Sequence, residues 1–290
     1  MKESKLFNPL EHPICLEFPT LLEETAWAEH IPFAMFLTGV LRPRVFVELG
    51  TFRGVSYCAF CQAVKSLQID AKCYAIDTWQ GDEHAGLLEN GVLTKLKTHH
   101  DSLYAGFSNL VQSTFDEAAL HFADDSVDLL HIDGLHTYEA VAHDFETWSP
   151  KMSERGVVLF HDTNVRERDF GVWKFWNEIK SNRQHFEFLH GHGLGVLGVG
   201  TKFPIELQQL FAANEVETNL LRRFFHQLGL QIETNRLNRF QQQTIEEQSK
   251  YIGVLQQYEK VVQKSRLMKF YRVVSEDGLA QALKKSVGKS

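Results

Sequence analysis

Residues 45–54 read VFVELGTFRG, and the order of residue types in that stretch decides the fold expected of the chain. An apolar run carrying an acid at its end, Glu48, reads as a short buried strand. Gly50 and Gly54 bracket a tight turn, and Ser56 to Leu67 follow with helical spacing. A strand, a glycine turn and a helix in succession place free backbone N–H groups at a helix start, where glycine lets a ligand approach closely. A nucleoside-containing ligand suits such a place. The spacing G-x-x-x-G differs from the dinucleotide pattern G-x-G-x-x-G, and the phosphate-loop pattern G-x-x-x-x-G-K-[ST] does not occur in the chain.

Moving outward, Lys72 to Ile76 forms a second apolar run ending in Asp77, 27 residues beyond Gly50. A carboxylate at the tip of the second strand of a βαβ unit can accept both hydroxyl protons of a ribose. Further strands are expected at Phe107–Ser113, Val127–Ile132 and Val157–Phe160, with a closing hairpin at Phe186–Leu189 and Val196–Val199. Helices are expected at His84–Ser102, over the core face Tyr138, Val141, Phe145 and Trp148, and at Val172–Ile179. Strands alternating with helices in this rhythm predict an α/β fold, a doubly wound and mostly parallel sheet whose ligands lie at the strand C-terminal ends. Glu48, Asp77, Ser113, Asp133 and Asp162 all follow apolar runs and would line that edge. Gly193, Gly195 and Gly198 spell G-x-G-x-x-G by letter, but Gly200 and Pro204 follow and no helix opens there.

The 290 residues, 43% of them hydrophobic, can bury a sizeable core. A net charge of −7 argues against nucleic acid as a partner. The charge is uneven: Lys264 to Ser290 carries seven basic residues against two acids, or +5, which leaves −12 for the remainder. The N-terminus lacks an apolar signal core and no run of about 18 apolar residues exists. The expected location is therefore cytoplasmic and not membrane-spanning, with peripheral contact at the inner face of a membrane left open by the basic end. Cys15, Cys58, Cys61 and Cys73 read as reduced thiols, and the C-x-x-C of Cys58 and Cys61 as core packing within a helix.

Four segments are expected: a cap over 1–44, a ligand-binding domain over 45–203, a helical segment over 204–263 and a basic tail or linker over 264–290. In the third, Leu221 and Leu228, then Ile245 and Ile252, then Leu255 and Val262, repeat every seven residues. Gly229 and a polar patch at 241–243 interrupt the repeat, so both a coiled coil that makes a homo-oligomer and a helix packed on its own domain remain open.

The stretches VELGTFRG, AIDTWQGDEHAG, HIDGLHTYEAVAHDFETW and GVVLFHDT, taken together, resemble the class I S-adenosylmethionine (SAM)-dependent methyltransferases. More narrowly they are similar to a bacterial group that O-methylates sugars, related to macrolide-sugar O-methyltransferases and cephalosporin-hydroxylase-type proteins. The resemblance spans about Trp27 to Gly200, and its most specific part is I-D-G-x-H-x-Y with the later H-D. It implies a seven-stranded Rossmann-like sheet with a helical extension, and SAM as cofactor. Glu48, Gly50, Thr51 and Gly54 would cradle the methionine part, Asp77 the ribose, and Trp79 and Ser113 would neighbour the adenine. The implied acceptor is a sugar hydroxyl, monomeric or at a polymer end, in cell-surface polysaccharide biosynthesis, with a glycosyltransferase module as a fused or associated partner.

A sugar hydroxyl is a poor nucleophile at neutral pH and needs a base or a cation that lowers its pKa. Asp133 and Asp162 offer hard oxygen ligands suited to Mg2+, with His161 as a third ligand that would favour Mn2+ or another transition metal. His136, three residues after Asp133, is the expected general base, with Asp133 beside it. His131 is expected to be a satisfied interior histidine, and Asp82 and His84 to lie in a loop over the site. Two further readings are a metal-dependent hydroxylase or lyase on the same fold, kept open by His161, and a non-catalytic SAM-binding scaffold.

Overall fold

The computed structural model describes residues 6–82, 86–87 and 91–278. His84 therefore lies outside the described residues, as does the tail from 279. In chain order the elements are α1 (Ile31–Leu41), β1 (Val45–Leu49), α2 (Val55–Ser66), β2 (Lys72–Asp77), the small hairpin β3 (Gly81–Asp82) and β4 (Gly86–Leu87), α3 (Val92–Leu103), β5 (Ser108–Gln112), α4 (Phe115–Ala119), β6 (Val127–Ile132), α5 (Tyr138–Trp148), β7 (Met152–His161), α6 (Val172–Ile179), β8 (Gln184–Phe188), β9 (Leu194–Gly198), α7 (Ile205–Phe211), α8 (Glu215–Lys264) and α9 (Arg266–Asp277).

Seven strands make one sheet in the order β5-β2-β1-β6-β7-β9-β8. β5, β2, β1, β6 and β7 run parallel, while β9 is antiparallel to both β7 and β8. The order reverses between β1 and β6, and such a switch point opens a crevice beyond the strand C-terminal ends. This is the mostly parallel, doubly wound sheet expected from the sequence.

The pleat sorts side chains to two cores. Phe46, Leu129, Val157 and Leu159 face a cluster with α1, α2 and the cap residues Trp27 and Ile31. Val47, Leu130, Val158 and Phe160 face the other, with Val141, Phe145, Trp148 and Trp176 from α5 and α6. Every residue of β6 is buried, as both-sided covering of a parallel sheet requires. The four cysteines are buried and free. Burial pushes the thiols of Cys15 and Cys58 upward, which suits inert packing.

Three boundaries depart from expectation. The helix expected from His84 begins at Val92, after Gly91, and β3 and β4 occupy part of the preceding stretch. α4 follows Ser113 directly, capped by the Thr114 side chain, which accepts from the Glu117 N–H. β7 starts at Met152, five residues before the apolar run, and a register shift against β6 absorbs the extra length.

The chain divides into two compact units, Met1–Arg236 and Leu237–Ser290, and the division falls inside α8. Leu221, Phe225 and Ile232 of α8 are buried in the first core cluster. Gly229 has the same duty: a Cβ there would sit 2.2 Å from the carbonyl oxygen of Glu29. The glycine that breaks the heptad is thus required by close approach to the cap. No helix among the described residues is long and apolar enough to cross a membrane.

Candidate active site

β1 ends at Leu49, whose carbonyl accepts the Asp133 N–H, while the Gly50 N–H donates to the carbonyl of Ile76. The three strand tips β1, β2 and β6 are therefore tied together. Gly50, at φ +84°, has no room for a side chain, since a Cβ would lie 2.1 Å from the Asp133 carbonyl oxygen. Above this junction opens a cavity of about 440 Å³, walled by Gly50, Thr51, Gly54, Ser56, Asp77, Thr78, Thr114, Phe115, Asp133, His136, His161 and Asp162, with Trp27 and Thr25 from the cap.

The Asp77 carboxylate lines this cavity, but it has a bracing duty as well. One oxygen accepts the N–H groups of Thr51 (2.8 Å) and Phe52 (2.9 Å), and the other that of Trp79 (2.6 Å). It fixes the glycine turn and keeps lone pairs for a ligand hydroxyl. The buried Thr51 hydroxyl, on the cavity wall, has no hydrogen-bond partner among the described residues. A close-approach turn, an acid at the second strand tip and an unsatisfied hydroxyl in the wall fit a nucleoside cofactor.

Three expected cofactor contacts lie elsewhere. Glu48 is fully buried behind the wall, where it accepts from His131 Nδ1 at 2.8 Å. Trp27 donates its indole N–H to His131 Nε2 at 3.2 Å, which assigns the histidine proton to Nδ1. His131 is thus the satisfied interior histidine that the alternation predicts, and Glu48 keys the cap to β1. Trp79 turns into the core and donates from its indole to the Phe52 carbonyl. Ser113 points to Glu117, leaving Thr114 and Phe115 at the wall.

At the other end of the cavity, Asp133, His136 and Asp162 converge, with one candidate ligand atom from each lying within 4.8 Å of the others. His136 Nε2 is 2.9 Å from Asp162 and 3.4 Å from Asp133. Burial opposes charging of this imidazole, but its hydrogen bonds to the two carboxylates outweigh that and push its pKa up to about 10. His161 likewise reaches about 9: burial opposes its charge, and Asp162 and Asp133 override. The same contacts hold Asp133 and Asp162 well below the usual carboxylate range despite burial. Two carboxylates and an imidazole within reach of one point suit a divalent cation.

His161 stands behind this group. Its Nε2 donates to the Gly191 carbonyl at 3.1 Å and its Nδ1 faces Asp133 at 3.1 Å, so it orients Asp133 from below. The third cluster member is His136, whereas the sequence pointed to His161. Asp162 adopts φ +61°, a strained conformation for a non-glycine residue of the kind that collects at functional sites. His192, at 3.2 Å from Asp162, and Phe170, stacked on His136 at 4.7 Å and 6°, complete the surroundings. Both come from loops without a local pattern, as does Trp27, and none was legible in advance.

The sheet order defines a Rossmann-like, doubly wound fold. Residues 47–163 match the family model described as a methyltransferase domain (Methyltransf_24). An uncharacterized protein of Sinorhizobium fredii is 49% identical over 186 residues, which are 64% of this chain and 20% of that protein. An uncharacterized protein of Acanthamoeba polyphaga mimivirus is 31% identical over 123 residues, 40% of this chain and 50% of that protein. The chain thus spans half or less of these relatives. Among solved structures, a putative caffeoyl-CoA O-methyltransferase from Staphylococcus aureus is 14% identical, with a TM-score of 0.48, covering 63% of this chain and 86% of its own. The SAH-bound methyltransferase of Podospora anserina is 11% identical, with a TM-score of 0.45, covering 58% and 77%.

Proposed function

We propose that this chain is a SAM-dependent O-methyltransferase that acts on a sugar hydroxyl with the help of a divalent cation. The observation that carries the reading is the convergence of Asp133, His136 and Asp162 at one end of a cavity whose other end is the Gly50 turn and Asp77. The resemblance of I-D-G-x-H-x-Y and H-D to sugar-methylating enzymes supports the acceptor class. A role in polysaccharide tailoring belongs to the same proposal.

The cofactor would supply an electrophilic methyl group on a sulfonium. Transfer of that methyl group to the acceptor oxygen, with the sulfide as leaving group, would require the hydroxyl proton to be taken up. The chain's part is to align the two reactants and to take the proton. His136 would be the group that takes it, although in the bare site its two carboxylate neighbours favour its protonated form. A divalent cation held by Asp133 and Asp162 would supply charge that lowers the hydroxyl pKa and weakens the hold of those carboxylates on the His136 proton. His161 holds Asp133 in place, and Phe170 holds the imidazole plane.

The test is calorimetric titration of SAM into the protein, followed by methyl transfer from labelled SAM to a panel of nucleotide sugars and oligosaccharide ends with Mg2+ or Mn2+. Binding in the micromolar range and cation-dependent labelling of a sugar are expected. A protein that takes up no SAM would sink the reading.

A further inference from the structure

From Leu237 to Val261 helix α8 carries Leu237, Phe240, Thr244, Glu247, Tyr251, Val254, Tyr258 and Val261 at alternating steps of three and four residues. These are the two seam positions of a heptad, repeated for roughly 37 Å at ~1.5 Å per residue. The large apolar members face solvent: Phe240 is 63% exposed, Tyr251 65% and Tyr258 69%. A second, shorter seam of Ile245, Ile252, Leu255 and Val262 adjoins the first. Glu247, Gln248, Tyr251 and Ile252 frame a shallow hollow on this surface, the kind of depression that a side chain from a facing helix fills. An apolar stripe of this length on a helix exposed to water marks an interaction surface.

The period identifies the shape of the partner. A strict seven-residue repeat stays on one side of a helix only when that helix winds around another running alongside it, so the occupant is a long helix with the same repeat. The flanking positions identify which helix. In coiled coils, charges beside the seam select a foreign partner or reject a copy. Between Leu237 and Val261 those positions hold Gln241, Gln243, Gln248 and Gln257, the apolar Leu255 and a single charge, Lys250. Those positions hold no repeated like charges to reject a copy. The seam's own charge, Glu247, meets Tyr251 and not a second Glu247 when an identical strand lies antiparallel in phase, so an identical strand matches the seam in length and charge. We propose that residues 237–264 bind the same segment of a second copy of this chain, with the adjoining seam able to take a third. The proposal is independent of the catalytic reading.

The experiment is sedimentation equilibrium of the full chain, wild type beside the triple substitution Tyr251→Lys, Val254→Lys, Tyr258→Lys. Wild type is expected at two or three times 33.3 kDa, and the triple variant at the mass of one chain with the melting transition of the first unit retained. The wild-type measurement stands whether or not the variant folds. A wild type that sediments as a single chain over the whole micromolar range overturns the proposal, and so does a folded variant that keeps the wild-type mass.

Discussion

Asp128 and Asp133 belong to one stretch of chain, five residues apart at opposite ends of β6, and they do opposite work. Asp128 is fully buried at the strand's beginning. One of its oxygens accepts from the Arg44 backbone N–H and Nε at 2.9 and 3.1 Å, the other from Arg44 Nη2 at 3.1 Å and from the Ser153 hydroxyl. Every lone pair is spent inside the protein, and no ligand can reach it. Asp133, just past the strand's end, faces the cavity, and its neighbours are imidazoles whose protons can move. The same residue type is a clamp where its partners are fixed cations; where they titrate and the site is open, we propose that it serves the reaction. Burial alone does not separate the two roles; the nature of the partners does.

The comparison is open to direct attack. Asp133→Asn removes a carboxylate from the cluster, and methyl transfer should fall by about 10²–10⁴-fold or more in protein that remains folded, with some loss of stability because His136 and His161 lose a partner. Activity assays beside thermal melts decide it; a variant that unfolds but keeps its specific activity would reverse the two roles. Asp128→Asn should do the converse, costing about 1–3 kcal/mol of stability by weakening the buried hydrogen bonds from Arg44 and Ser153, with turnover of the folded fraction unchanged. Urea unfolding measures this.

The acid limb sharpens the same point. Burial would raise the Asp128 carboxyl, but hydrogen bonds from Arg44 and Ser153 more than offset it and hold its pKa below the usual value. A folded pKa below the unfolded one means stability that is present above about pH 3.9 and lost as pH falls through the depressed value. Asp128→Asn should therefore flatten the acid side of the stability profile. At the other end the sign is opposite. His136 and His161, raised to about 10 and about 9, contribute stability that is full below about pH 6.5 and lost as pH rises through 9 to 10. Saturating Mg2+ or Mn2+ should lower the His136 value, as seen by NMR titration; an unmoved value would mean that Asp133 and Asp162 do not hold the ion. The smallest effect is expected from Phe170→Ala, on the order of 10-fold in turnover with the KM for SAM unchanged, since the ring only orients His136. Phe170→Tyr should restore the rate.

Much of this could be read from residue types alone, for reasons that differ by region. β6 and α6 have the expected bounds because both-sided burial and helical spacing leave no ambiguity in VDLLHI and VWKFWNEI. The start of α3 was misread because sequence beyond the polar loop has helical composition, whereas Gly91 at φ +107° sets where the helix opens. At the site, Asp77, Asp133 and Asp162 were legible as strand tips. Glu48, Trp79 and Ser113 share that address, yet their side chains turn to His131, to the Phe52 carbonyl and to Glu117. Position at a strand end is visible in one dimension; the direction of a side chain depends on partners brought from elsewhere. Trp27, His192 and Phe170 are such partners. In α8 the heptad reading merged two things, a first part buried through Leu221, Phe225 and Ile232 and a later part with its apolar stripe exposed.

The most direct test of the account compares transfer of a labelled methyl group from SAM to sugar acceptors by wild type, Asp128→Asn and Asp133→Asn at equal concentrations of folded protein. The account predicts labelling by the first two and none above background by the third. Equal labelling by all three, or labelling lost in Asp128→Asn and kept in Asp133→Asn, would contradict it.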